Sequence, residues 1–124
     1  MAAVKGFEYF VVRCVPRVDR EEFLNVGVVL YSQRLDYLAA RTHLHEERLR
    51  ALDPDADVAA VAAALASWEA TCTGAGAAAE MKPGERFRWL VAPRSTILRA
   101  GPVHMGLATD PAAELDRLLQ LLVR

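Results

Sequence analysis

Apolar residues fall in strand-like runs over the first third of the chain and at helical spacing further on. Phe7 to Val15 is rich in aromatic and β-branched residues and stops at Pro16, which predicts a first strand. Beyond Glu8 both of its alternating faces are largely apolar, Arg13 being the exception beside Tyr9 and Val11. From Val26 to Tyr31 there are three valines, a leucine and a tyrosine with one glycine and no charge. That run, read as a second strand over Val26 to Ser32, suits burial on both faces and so a place in the middle of a sheet. Gly27 inside it marks a bulge or the close approach of another backbone or ligand, and Asn25 at its entrance can bond nearby backbone through its amide. Ser32-Gln33-Arg34 predicts a hairpin turn into a third strand, Leu35 to Thr42, antiparallel to the second.

His45 to Leu52 reads as a short helix, with Leu44, Arg48 and Leu52 one turn apart, and Asp53-Pro54 as the start of a longer one. Val58, Val61, Leu65, Trp68 and Cys72 then follow at spacings of three and four, laying one apolar stripe along that helix until Gly74-Ala75-Gly76 ends it. The alanine-rich passage to Lys82-Pro83-Gly84 reads as a loop or a frayed extension of that helix. Phe87, Trp89 and Val91 alternate with Arg88 and Leu90, which predicts a fourth strand with its aromatics inward and its arginines in water. Ser95 to Ala100 and Pro102 to Leu107 read as edge pieces on either side of the Gly101-Pro102 break. Asp110-Pro111 repeats the helix-start chemistry, and Leu115, Leu118, Leu119 and Leu122 give a closing amphipathic helix. The order predicts a single α+β domain over residues 1–124: an antiparallel sheet of four to five strands with two main helices packed on one face.

Composition narrows the function classes. With 53% hydrophobic and 25% charged residues the chain is of globular type, and its net charge of −1 argues against a broad electrostatic grip on nucleic acid or membrane. Thirteen of the fifteen cationic residues are arginines, which suit bidentate anion recognition where they gather. Cys14 and Cys72, one in a strand and one in a helix, read as buried thiols. The start, Met1 to Gly6, holds no apolar run of signal-peptide length, and no segment approaches the length of a membrane span, so the expected location is the cytoplasm.

The densest chemistry lies between the first two strands. Arg13, Arg17 and Arg20 are close enough in sequence to hold a phosphate, and Asp19, Glu21, Glu22 and Asn25 are oxygen donors of the kind that bind divalent cations. Their spacing matches no metal-binding loop, and mixed charges in a connection compensate one another at a solvated surface, so neither metal nor cofactor is expected. Thr42 to Glu47 brings His43 and His45 near two carboxylates without the four-residue spacing of a zinc helix. His104 with Met105 lacks a nearby nucleophile. Arg86, Arg88, Arg94 and Arg99 surround Phe87 and Trp89 in the manner of a single-strand nucleic-acid platform, which needs its aromatics exposed.

Four segments carry a resemblance over nearly the whole chain: Tyr9 to Arg13 with Pro16, Glu22 with Asn25 to Leu30, Arg48 to Asp57, and Ala92-Pro93-Arg94 with Gly101-Pro102-Val103 before Asp110-Pro111. In these the chain resembles a small bacterial family named domain of unknown function 3037. Members of that family are often encoded beside kinase-like proteins resembling the HipA toxin, so the resemblance implies a partner protein more than a reaction. The expectation is a non-catalytic accessory or regulatory domain that binds another protein, with a kinase-like protein or a second copy of the chain as partner. The candidate binding set is Arg13, Arg17, Arg20, Glu22, Asn25 and Gly27; no catalytic set is assigned. The alternative is a phosphate- or nucleic-acid-directed enzyme or binder built on Arg13, Arg17, Arg20, Glu22 and Asn25.

Overall fold

A computed structural model describes residues 3–94 and 96–124; Ser95, where one expected edge piece begins, and Met1 and Ala2 lie outside the described residues. The elements run β1 (Lys5–Cys14), β2 (Leu24–Ser32), β3 (Tyr37–Thr42), α1 (Glu46–Leu52), α2 (Val58–Thr73), a 3-10 turn (Gly76–Glu80), α3 (Pro83–Val91), β4 (Leu98–Ala100), β5 (His104–Ala108) and α4 (Pro111–Leu122). The five strands form one antiparallel sheet in the order β3-β2-β1-β4, with β5 also on β1, so the fold is α+β. β2 lies between β1 and β3, the interior place its uncharged run called for.

β1 and β2 alternate between two cores. Phe10, Val12 and Cys14 with Val29 and Ala40 face α2 and α3, meeting Val61, Leu65, Trp68, Cys72, Phe87 and Leu90. Phe7, Val28 and Leu30 face the other way and pack on Leu115, Leu118 and Leu119 of α4. The expectation of both main helices on one face is therefore corrected: α2 and α4 lie on opposite faces. A strand apolar on both sides must be covered on both sides, because bare apolar surface costs about 25 cal/mol per Å² left in water. A bulge refines the pattern. Val12 pairs with Gly27 but Arg13 pairs with Asn25, leaving Val26 as the extra residue, so Val26 joins the α2 core although Val28 joins the α4 core. Gly27 also sits where a Cβ would lie 3.0 Å from the Arg41 carbonyl oxygen, so a side chain there would push β3 outward by a few tenths of an ångström.

The expected fourth strand over Phe87 to Val91 is instead the body of α3. Pro83 occupies its first turn and the Glu85 carboxylate accepts from the Lys82 N–H at 3.0 Å, so the start is capped. Phe87 and Leu90, three apart, are buried, while Trp89 is 53% exposed. Phe87 lies 5.5 Å from Phe10 and 5.4 Å from Tyr31 by ring centroids, which fixes α3 on the sheet. Asp57 rather than Asp53 caps α2, accepting from the Ala60 N–H at 3.0 Å, and Gly74 ends it with φ at 86°. β3 begins at Tyr37 rather than Leu35, after a turn closed by the buried Ser32 hydroxyl, which accepts from the Leu35 N–H at 3.2 Å and donates to the Gly6 carbonyl at 2.8 Å.

The run Val58–Glu80, 23 residues of mean hydropathy 1.2, is long and apolar enough to cross a membrane, contrary to the expectation that no segment approaches that length. Alanines raise its hydropathy, but Gly74 interrupts it: α2 proper has 16 residues, about 24 Å at ~1.5 Å per residue. Its stripe of Val61, Leu65, Trp68 and Cys72 lies against the sheet.

Leu65→Ala and Leu118→Ala are each expected to cost about 2–5 kcal/mol in urea denaturation. Because the two side chains belong to separate cores, the double variant should lose the sum of the two to within about 0.5 kcal/mol; marked non-additivity would mean that the helices share one core.

Candidate functional site

The sheet and the first connection divide the six residues singled out from the sequence. Arg13, Asn25 and Gly27 sit in β1 and β2, and Arg13 is the register partner of Asn25. The half-buried Arg13 guanidinium lies 4.3 Å from the Phe23 ring centroid, a cation–π contact. The Asn25 Nδ2 donates at 3.1 Å to the Leu122 carbonyl, which sits in the last turn of α4 where carbonyls lack helical partners. Arg17, Arg20 and Glu22 lie outside the sheet on an exposed turn in which Arg20 and Glu21 N–H groups bond the Arg17 carbonyl and Glu21 has φ at 56°.

On that turn the charges pair with near neighbours. Arg17 Nη2 meets Asp19 Oδ2 at 2.7 Å, and Arg20 Nε meets Glu22 Oε1 at 2.5 Å. The hydrogen bond from Arg17 holds the Asp19 carboxyl below its ordinary range, and the same bond raises Arg17. Both side chains are exposed, so the pair does little for stability. β1 instead brings Arg13 opposite Arg99 of β4, a neighbour invisible to local sequence because the two are so distant along the chain. Arg13, Asn25 and Gly27 thus stand together in the sheet, while Arg17, Arg20 and Glu22 form a separate surface turn.

Elsewhere the sequence candidates settle into structural places. His43 and His45 rings stand 4.4 Å apart, edge to face, and burial lowers the His43 pKa, helped by His45, Arg124 and Arg48. Among the described residues no group of three or more His, Cys, Asp or Glu is placed to hold a metal ion. Cys14 and Cys72 are buried free thiols. Burial pushes Cys14 up to about 11 and Cys72 to about 12, the latter aided by Glu69, so neither is a thiolate at neutral pH. Arg86, expected in water, binds the carbonyls that end α2 and the following turn, donating to Ala78 O at 3.1 Å and Cys72 O at 3.5 Å.

A broad concavity lies at the other end of β1 and β2, roughly 17 Å from Arg13 at ~3.3 Å per strand residue. It is a cleft of about 920 Å³ between α3 and the sheet, bordered by Glu8, Tyr31, Met81, Arg88, Trp89 and Met105. None of the six candidates lines it. Arg88 Nη2 reaches both Glu8 oxygens, at 2.8 and 3.0 Å, and ties α3 to β1 across its floor. Trp89 also borders two smaller, more enclosed hollows, of about 540 and 250 Å³, on the α2 side. The Arg94 guanidinium lies 5.0 Å from the Trp89 ring and 5.3 Å from that of Trp68, held by hydrogen bonds to the Trp89 and Ala92 carbonyls. Reading 87–91 as a strand turned Trp89 inward and so missed this surface; Pro83 with Glu85 two residues on was the signal for a helix.

Asn25→Ala is expected to lower stability by about 1 kcal/mol in chemical denaturation, because the Leu122 carbonyl loses its donor. Glu22→Ala should leave the melting temperature unchanged. The thiols give a pH dependence of definite sign. An unfolded cysteine ionises near its ordinary 9.0 while the folded ones keep their protons to about 11 and 12. Their contribution to stability is thus whole below pH 9.0 and lost as pH rises through the folded values. Alkaline denaturation should steepen above that point, and less so in Cys14→Ala than in the parent when each is referred to its own neutral-pH stability.

No curated protein and no solved structure matches the chain. The sequence profile described as protein of unknown function, DUF3037, matches residues 9–123, a span from the middle of β1 to the residue after α4. With the profile reaching across every strand and helix described above, the chain belongs to the DUF3037 family.

Proposed function

We propose that this chain is a non-catalytic accessory domain that binds another protein through the surface centred on Trp89. The observation that carries the reading is the placement of that side chain: a tryptophan 53% exposed at the meeting point of three hollows. Tryptophan and arginine are among the residues in which interface energy concentrates, and the flexible, polarisable methionine is enriched at binding surfaces. Here Trp89 is joined by Arg88, Arg94, Met81 and Met105. Glu8, Glu85, Lys82 and Arg34 around the 920 Å³ cleft supply a polar rim of both signs, suited to a partner segment of mixed charge. A kinase-like protein resembling the HipA toxin, the partner the family resemblance implies, is the first to test.

The phosphate- or nucleic-acid-directed alternative draws no support from a turn whose Arg17 and Arg20 are already matched by Asp19 and Glu22. A single exposed tryptophan beside an Arg88 engaged by Glu8 is likewise short of a stacking platform, which needs successive aromatics along a cationic groove.

The test is copurification from the native host, probed for a kinase-like protein, comparing the parent with Trp89→Ala. Retention of that protein by the parent and loss by at least tenfold in the variant, at an unchanged melting temperature, is the expected result. Equal retention by both would move the interface elsewhere, and turnover of a small substrate by the isolated chain would overturn the non-catalytic reading.

A further inference from the structure

The outer edge of β5 is a second surface of a different kind. β5 pairs with β1 from Lys5↔Ala108 to Tyr9↔His104, and among the described residues no other strand pairs with its far side. An unpaired edge offers a row of free N–H and C=O groups, and soluble proteins usually guard such edges with charge, proline or a bulge. The opposite edge of this sheet is guarded in that way: β3 carries Arg41, which meets Asp116 at 3.5 Å. β5, His104-Met105-Gly106-Leu107-Ala108, holds no acidic residue, no lysine or arginine and no proline.

Its alternation explains which side is bare. Gly106 stands opposite Phe7, and the Phe7 ring fills the space a side chain would need, since a Cβ there would come within 2.5 Å of Phe7 Cζ. Met105 and Leu107 point to the other face, where they are 80% and 71% exposed. Two long apolar side chains flanking a glycine on an uncharged strand are complementary to themselves when the strand is reversed.

We propose that β5 pairs with β5 of a second copy of this chain, antiparallel, about a two-fold axis through Gly106. In that register Met105 of each copy lies beside Leu107 of the other, on one face, and His104 lies opposite Ala108. No like charges meet along the seam, and a net charge of −1 per copy adds little repulsion between the two. Each copy contributes the same edge once, so the assembly closes at two and the guarded β3 edges become its outer limits. The axis stands normal to the sheet, which places the Trp89 clefts of both copies on the same face and α4 on the other. Met105 also borders the Trp89 cleft while Leu107 does not, so L107E is the variant that tests the pairing with that cleft's lining intact.

Sedimentation equilibrium of the purified chain over a concentration series tests it, beside M105K/L107K and L107E. The parent is expected to sediment as a dimer and M105K/L107K as a monomer that still unfolds in one cooperative step, because both side chains are exposed, its melting temperature lower only by the dimer's concentration-dependent contribution; L107E should weaken association at least tenfold. Hydrogen exchange of the β5 amides should be slower in the parent than in the variants. Trp89→Ala should dimerise as the parent does, so loss of partner binding and loss of pairing are separable. A parent that is monomeric at every concentration overturns the proposal, as does a dimer whose affinity the β5 variants leave unchanged.

Discussion

β2 imposes the central constraint. Its run of valines and leucine places apolar side chains on both faces of the sheet, so neither face can be left to water. Leu115, Leu118 and Leu119 answer Val28 and Leu30 on one side, and Val61, Leu65, Phe87 and Leu90 answer Val29 and Phe10 on the other. The bulge at Val26 and the bare Cα of Gly27 are local adjustments to that demand. One shifts a valine from the α4 core to the α2 core; the other lets β3 come close enough to share the cover.

The three N-terminal strands, α2 and α4 were legible because each has a local signature: β-branched runs bounded by turn residues, or apolar spacings of three and four behind a capping aspartate. The placement of α4 was legible in principle as well. A strand apolar on both sides already implies a cover for each, and assigning both helices to one face contradicted the reading of β2 itself. α3 failed for another reason. Across five residues, Phe87, Trp89 and Val91 satisfy a period of two while Phe87, Leu90 and Val91 satisfy a helical one, and only the start chemistry at Pro83 and Glu85 separates them.

The site residues were less legible than the fold, because their neighbours come from far along the chain. Nothing near Asn25 in sequence announces the Leu122 carbonyl, and nothing near Arg13 announces Arg99. What could be read was the balance of charge between Arg17 and Glu22, which the structure resolves into pairs two residues apart. Trp89 shows the cost of one misassigned element: the change from strand to helix turns the side chain from core to solvent and moves the functional reading from the first connection to the far end of the sheet.

The split partner of β1 bears on how the molecule is made. β1, β2 and β3 are joined by short connections and can zip up as soon as they leave the ribosome, but β1 receives β4 and β5, and β2 receives α4, from the last part of the chain. Until α4 is in place, a nascent three-stranded meander shows one greasy face and one open margin to its surroundings. Chaperone dependence should therefore be greatest just before α4 emerges, and a chain lacking α4 should be prone to aggregate rather than form a smaller working domain.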